Sequence, residues 1–450
     1  MSDMMESNKQ EKSMSIVMMP YLAHGHVSPF YELAKKLSNK GFHIYFCSTP
    51  ICLEPMRNIN HFDHDHMNIQ LIDLHLPSSF HQELPPHYHS TKNLPPHLMN
   101  TLLAAFDASK PAFSDILKTL RPELVIYDVF QPWAAEAARE LNIEAVLFVT
   151  GVQSQRIKSG TVPKEVTESN KEMMDYLFKN TVNGMTSTQR FLKCITSSSG
   201  NTVLIKSTTE IQAKFGKPAD IFGDLVPVGP LVQRPQDHDG DEKIMDWLNK
   251  KEASSVVFIS FGSENFLSQE EIEEMAHGLE LSNVDFIWVV RFHGEHNNND
   301  KKTIHEALPQ GFLDRIQIQE KGLILDWAPQ AKILEHKSSG GFVSHCGWNS
   351  TLEAMMYGVP IIAIPLKFDQ PLNANLVVDM GVAIEVPATR EMRITRQEVA
   401  KAIKTVVVEE QGKEVRRKAK ELSENWKKKE DQEFHVAVQK LLQLVQQSKN

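Results

Sequence analysis

The chain has only four cysteines in 450 residues, Cys47, Cys52, Cys194 and Cys346, scattered without metal-binding or redox spacing. That scarcity excludes a disulfide framework and a zinc knuckle, and it reads as reduced thiols in a reducing compartment. Long hydrophobic runs are also lacking. No stretch approaches the ~20 apolar residues that span a bilayer, and residues 359–366, among the longest apolar runs, read as a buried strand. The opening MSDMMESNKQEKS has no apolar core of the kind a secretory leader needs. The expectation is a cytoplasmic protein with no integral membrane segment. Excess positive charge is missing too: 48 Lys and Arg stand against 57 Asp and Glu, a net charge of -9. This argues against a nucleic-acid partner but not against a nucleotide, because helix N-termini hold phosphate without surplus lysine. No G-x-S-x-G elbow is present, which removes a serine hydrolase.

What is present is an α/β pattern written twice. In the first half, β-rich runs at 16–19, 42–47, 69–74, 124–127 and 145–149 alternate with helical segments. Between the first two runs a helix is predicted, with Ser28 as its cap, Pro29 in its first turn and Gly41 at its end. The second half predicts strands at 255–261, 286–290, 323–325, 341–344 and 360–364. Ser268 with Glu271 forms a capping box before one helix, and Thr395 with Glu398 opens another. The charged tail from Lys413 is helical in pattern and ends in Val436, Val438, Leu441, Leu442 and Val445. Residues 231–241, with Pro235 and Gly240, read as a linker. Two doubly wound domains facing a cleft are therefore expected, divided as 1–235, 236–430 and a tail 431–450 that packs back on the first domain. In such sheets ligands sit beyond the carboxyl ends of the strands, so residues just after strands are the ones to examine.

Residues 327–370 read WAPQAKILEHKSSGGFVSHCGWNSTLEAMMYGVPIIAIPLKFDQ. Trp327 follows a strand, where an indole stacks on a flat base. Ala328 offers backbone groups for the base edge, and Gln330 is placed to reach ribose hydroxyls. Then a strand runs through His345 and Gly347 into a helix whose first amides, on Trp348, Asn349 and Ser350, favour a diphosphate. Gly347 permits close backbone approach, and His345 adds a hydrogen bond. Glu353, one turn in, suits a ribose diol, while Asp369 and Gln370 suit sugar hydroxyls. Each residue alone has an ordinary explanation: a packed tryptophan, a solvated glutamate, a core histidine. Their shared order and spacing do not.

The first strand leads into Pro20-Tyr21-Leu22-Ala23-His24-Gly25-His26-Val27-Ser28-Pro29. A neutral imidazole, with an ordinary pKa near ~6.5, is suited to removing a proton from a hydroxyl. Both His24 and His26 qualify. Asp128, directly after the strand at 124–127, is in place to orient such a base; its ordinary alternative is a helix cap before Gln131 and Pro132.

Residues 327–370 closely resemble the signature box of the plant UDP-dependent glycosyltransferases, an inverting family of GT-B fold, and FISFGSE, STPICLEPMRN, LRPELVIYDVFQPWA and VPVGPLV extend the likeness over most of the chain. The resemblance implies donor contacts at Trp327, Ala328, Gln330, His345, Gly347, Trp348, Asn349, Ser350, Glu353, Asp369 and Gln370. It adds Ser263, with Gly262 giving a close turn. Between the two histidines it selects His26, which follows the glycine and precedes a proline by three positions, and it pairs His26 with Asp128. A closing glutamine accompanies glucose donors in that family, so Gln370 points to UDP-glucose. No cluster with metal-ligand spacing accompanies these residues, so no metal is expected, and no cofactor beside the donor. The segment LPPHYHSTKNLPPHLM resembles the branch that adds sugars onto flavonoid or terpenoid glycosides, which implies such a glycoside as acceptor. Residues 151–206 depart from that branch, being short and without its Pro- and Phe-rich loops. His61, His64 and His66, and the later His75, His81, His87, His89 and His97, lie in loop-like sequence rather than in zinc spacing. The rival expectations are the same chemistry on a bare aglycone and a non-catalytic UDP-sugar binder, the latter disfavoured by an intact His26 and Asp128.

Overall fold

The computed structural model describes residues 14–57, 68–92, 94–151, 179–215, 223–235, 240–291, 304–388 and 394–448. The first half supplies β1 (Ser15–Met19), β2 (His43–Ser48), β3 (Ile69–Asp73), β4 (Leu124–Tyr127), β5 (Glu144–Val149), a short hairpin of β6 (Thr181–Val182) and β7 (Met185–Thr186), then β8 (Thr202–Ile205) and β9 (Asp224–Pro227). Apart from the hairpin these strands form one parallel sheet in the order β3-β2-β1-β4-β5-β8-β9. The second half supplies β10 (Val256–Ser260), β11 (Asp285–Val289), β12 (Gly322–Leu325), β13 (Ser339–Ser344), β14 (Ile361–Ala363) and β15 (Ala383–Glu385), parallel in the order β12-β11-β10-β13-β14-β15. Each sheet reverses its strand order once, between β1 and β4 in the first and between β10 and β13 in the second. The central strands are buried throughout, as in β4 and β13. Helices cover both faces of such a sheet, which is why these strands read as unbroken apolar runs.

Besides the β6–β7 hairpin, three strands of the two sheets, β8, β9 and β15, were not expected. Two of them close sheet edges: β9 ends in Pro227 and β15 has only three residues. Proline is tolerated at an edge because its missing N–H faces away from the ladder.

The first helix runs His24–Ser38, a turn earlier than expected, so Pro29 lies inside it and Ser28 is not its cap. His24 and His26 are therefore in the first helical turn rather than in a loop. The capping box holds as expected on helix Gln269–Ser282: Ser268 Oγ accepts from Glu271 N at 3.2 Å, and Glu271 accepts from Ser268 N at 2.9 Å. Thr395 precedes helix Arg396–Val407 but makes no side-chain cap; Glu274 takes the Arg396 N–H instead, at 2.7 Å.

The tail helix, Lys413–Gln447, crosses between the two halves. Ala419, Leu422 and Trp426 pack in the second core, whereas Phe434, Ala437, Val438, Leu441, Leu444 and Val445 pack in the first. Val436, expected on the buried face, is 57% exposed because the helical phase turns it outward. Ile211, well before the expected division at 235, already belongs to the second core. Asp241, at the end of the expected linker, is buried and takes Lys332 Nζ at 2.8 Å.

Candidate active site

All the first-half residues of interest lie just past the carboxyl ends of strands. β1 leads to Tyr21 and the first turn of helix His24–Ser38; β4 ends immediately before Asp128, and β5 immediately before Thr150. Because β1 and β4 are neighbours at the reversal point, His26 and Asp128 are brought together from 102 positions apart, with His26 Nδ1 2.8 Å from Asp128 Oδ2.

Asp128 is fully buried, and it also accepts Tyr21 N at 3.1 Å and Val129 N at 2.6 Å. It does not cap the following helix, Pro132–Arg139, whose cap position is Gln131. The His26 ring meets Tyr21 and Phe130 edge-on, at centroid distances of 5.7 and 5.5 Å, while Thr150 Oγ1 lies 3.1 Å from Nδ1. With Nδ1–H directed at the carboxylate, the selected tautomer leaves the Nε2 lone pair available. Burial disfavours the charged ring, but the charge and hydrogen bond of Asp128, helped by Glu264 and Asp369, outweigh it and hold the His26 pKa above its ordinary 6.5. His24, on the same turn, has its pKa lowered, by burial first and then by the charges of Lys92 and Arg291, against that of Glu264.

The sequence alone missed the support behind this pair. Arg190, in helix Ser187–Thr196 and 1% exposed, grips Asp107 with two bonds of 2.8 and 2.6 Å and donates to the Phe130 carbonyl at 3.3 Å. Cys194 on that helix donates to Val129 O at 3.3 Å, and Tyr127 Oη donates to Cys194 O at 2.5 Å. Helix Ser187–Thr196 thus fixes the loop that carries Asp128 and Phe130. Its signal in the sequence is the capping box Thr186 to Gln189, which lies within residues 151–206.

In the second half, the ends of β10 and β13 flank the other reversal point. Gly262 and the exposed Ser263 follow β10; His345 to Gly347 follow β13 and lead into helix Trp348–Tyr357. His345 is buried, its Nδ1 has no partner, and burial pushes its pKa down to about 4, so the ring is neutral. A Cβ on Gly262 would stand 2.9 Å from this ring, and one on Gly347 would stand 2.4 Å from its Nε2. The close approach that Gly347 was expected to grant a ligand is therefore first granted to His345. Gly262 also holds a left-handed φ of +75°. Cys346 (φ 62°) and Phe368 (φ 54°) share that region without being glycine; such strained backbone persists only where the surrounding packing enforces it.

Gln330 Nε2 donates to Ser350 Oγ at 3.1 Å and to Glu353 Oε2 at 2.5 Å, bringing those three residues together. Burial raises the Glu353 pKa, against the Gln330 bond and the charge of Lys206. Trp327 is half exposed beyond β12, with Ala328 packed behind it on the second core.

Asp369 accepts Asn373 Nδ2 at 2.7 Å and is pushed up to about 6 by burial, opposed in part by His26. The charges of His26 and Asp369 thus act on each other, one from each half of the chain. Gln370 is buried, its Oε1 takes the N–H groups of Leu366 and Lys367, both at 2.9 Å, and its Nε2 donates to Asn265 Oδ1 at 3.4 Å, so only the second amide N–H remains for a ligand. The side chains of Trp348 and Asn349 turn away from the expected ligand: the indole donates to Lys206 O at 2.9 Å, and Asn349 Nδ2 donates to Gly25 O at 3.3 Å.

Among the described residues, no group of three or more His, Cys, Asp or Glu is placed to hold a metal ion, and no helix is long and apolar enough to cross a membrane. His61, His64 and His66 lie outside the described residues. His89 is buried and bonds Leu84 O at 3.0 Å, with the His81 ring 5.5 Å away. The four thiols are free and buried, and burial pushes Cys47 up to about 12.

Residues 195–429 match the family described as UDP-glucoronosyl and UDP-glucosyl transferase, and residues 12–216 match the one described as Glycosyltransferase, N-terminal domain. A flavanone 7-O-glucoside 2''-O-beta-L-rhamnosyltransferase of Citrus maxima is 48% identical over 99% of this chain and 100% of its own length. A beta-D-glucosyl crocetin beta-1,6-glucosyltransferase of Gardenia jasminoides is 42% identical over 95% of this chain and 98% of its own. Among solved structures, Phytolacca americana UGT2 complexed with UDP-2fluoro-glucose and pterostilbene superposes with a TM-score of 0.75 at 25% identity, covering 96% of this chain and 100% of that one.

Proposed function

This chain belongs to the plant UDP-glycosyltransferases of GT-B fold, and we propose that it moves glucose from UDP-glucose, with inversion, onto a sugar hydroxyl of a flavonoid or terpenoid glycoside. One observation carries the reading: His26, oriented by Asp128, is near enough to Asp369 for their charges to act on each other, and Asn349 at the helix start bonds Gly25 beside it. The first domain, 1–235, then binds the acceptor; the second, 236–430, binds the donor; and 431–450 returns to the first.

His26 Nε2 takes the proton of the acceptor hydroxyl as that oxygen bonds to the sugar C1 and the bond from C1 to the UDP oxygen breaks. Asp128 stabilises the imidazolium that results. The N–H groups of Trp348, Asn349 and Ser350 face the leaving diphosphate, and the unpaired His345 nitrogen offers a neutral contact. Ser263 completes the diphosphate contacts. Trp327 stacks on uracil, Ala328 meets the base edge, and Gln330 positions Glu353 for the ribose. Asp369 and the Gln370 amide take glucose hydroxyls. No metal or cofactor is part of this mechanism. The buried free thiols suit a cytoplasmic protein.

The donor site gives a direct expectation. In Gly347→Ala, the new Cβ displaces His345 or the helix start, at about 1–3 kcal/mol; UDP affinity measured by calorimetry should fall by a comparable factor of about 5–150. Unaltered affinity would show that His345 and the helix start do not hold the diphosphate.

The acceptor is tested with purified protein, the donors UDP-glucose, UDP-rhamnose and UDP-glucuronate, and matched aglycones and monoglucosides, read by mass spectrometry. Glucosylated products only from the monoglucosides are expected. The two relatives support this, since by name both act on substrates that already carry glucose. They differ in donor sugar, so the donor arm decides independently. Products only from aglycones would favour the second reading, and products only from UDP-rhamnose would remove the assignment of Gln370.

A further inference from the structure

Lys206 directly follows β8, at the same sheet edge that places Asp128 after β4 and Thr150 after β5. It is nevertheless only 2% exposed, and among the described residues no carboxylate oxygen lies within 4.0 Å of its ammonium. A lysine so deeply buried is rarely left without a specific task. Burial lowers its pKa to about 8, against the fields of Glu353 and Glu32.

Its N–H stays with the first sheet, donating to Val149 O at 2.9 Å, but its ammonium and its carbonyl both run to one place. Nζ donates to Asn349 Oδ1 at 2.6 Å, and its carbonyl takes the Trp348 indole. With its oxygen held, the Asn349 amide presents its nitrogen to Gly25 O. That carbonyl is open because its usual helical donor, four residues on, is Pro29, which has no N–H. The next residue is His26.

We infer that Lys206 is a positioning residue: its ammonium holds Asn349 so that the amide ties the turn carrying His26 to the helix start that faces the diphosphate, setting the distance from base to sugar carbon. The inference rests on the site as read above and adds to it a link that spans the cleft. Misplacement by about 1 Å costs on the order of 10²-fold in rate, so this link is expected to act on kcat.

Three variants test it, with kcat, the UDP Kd from calorimetry and the melting temperature measured for each. Lys206→Met is expected to lower kcat by about 10- to 100-fold with a nearly unchanged UDP Kd. Pro29→Ala gives Gly25 O an N–H within its own helix, in competition with Asn349; kcat should fall without loss of melting temperature. If both act through one link, the double variant falls no further than the worse single. Unchanged kcat in both singles overturns the inference, as does a double variant whose losses multiply. A UDP Kd that weakens in step with kcat overturns it as well, since the ammonium then serves the phosphates directly. If Lys206→Met does not fold, Pro29→Ala decides alone: lowered kcat at undiminished stability supports the link, and unchanged kcat removes it. Should His26→Ala turn over normally, the reading of the site fails instead; if that variant is inactive while these are normal, only the link fails.

Discussion

His26→Ala is expected to lower kcat by about 10²–10⁴-fold, the usual contribution of general-base catalysis, with UDP affinity almost unchanged. The separation follows from where the imidazole is anchored. Asp128, Thr150, Tyr21 and Phe130, its partners in hydrogen bonds and ring contacts, all belong to the first sheet and its loops, whereas the groups assigned to UDP belong to the second. Truncation therefore removes the proton acceptor and leaves the nucleotide's contacts in place. Single-turnover measurements with calorimetry on the same preparation check both halves. Near-normal turnover would remove His26 as the base, and lost UDP binding would show that the two halves of the site are not separable in this way.

Asp128→Asn is expected to reduce the plateau rate by a similar factor, about 10²–10⁴-fold, because an amide no longer enforces the Nδ1–H tautomer. It should also move the pH profile. In the proposed mechanism turnover needs neutral His26, so the rate of the unaltered protein is expected to fall as pH drops through a pKa held above 6.5. The largest single influence on that pKa is burial, which lowers it, and Asp128 is what outweighs burial. Without the carboxylate charge the acid limb of kcat/KM should shift to lower pH even as the plateau falls. A lowered plateau with an unmoved limb would assign Asp128 a purely structural role. The melting temperature guards against that confusion, because Asp128 also accepts from Tyr21 N and Val129 N.

Much of this site could be read locally. The stretch 327–370 is contiguous: its strand, turn and helix start follow from one short sequence, and its order resembles the family's signature box. The Ser268 capping box is equally local, since both partners lie within one turn. Pro29 misled because proline usually marks a first turn. Here it sits deeper in the helix, where the carbonyl it leaves open is taken by Asn349, 324 positions away. No nearby residue announces that partner.

The same limit hid Arg190. Its charge looks like an ordinary surface residue, yet it is buried, and its partner Asp107 lies 83 positions earlier. Val436 failed for a different reason: apolar spacing in the tail marks a helix, but the contact with a distant sheet decides which stripe of that helix is covered.

The sequence by itself determined the class of chemistry, because alternating apolar runs, the turn after each strand and the glycine-led helix start at Trp348 depend on neighbours a few positions apart. The tertiary structure alone decided which strands stand side by side. That choice sets β1 beside β4 and β10 beside β13, and so brings His26 to Asp128 and His345 to Gly262, while the packing of one half on the other brings Lys206 to Asn349. Such pairings are fixed by the packing of whole sheets and helices, and short-range patterning carries no record of them.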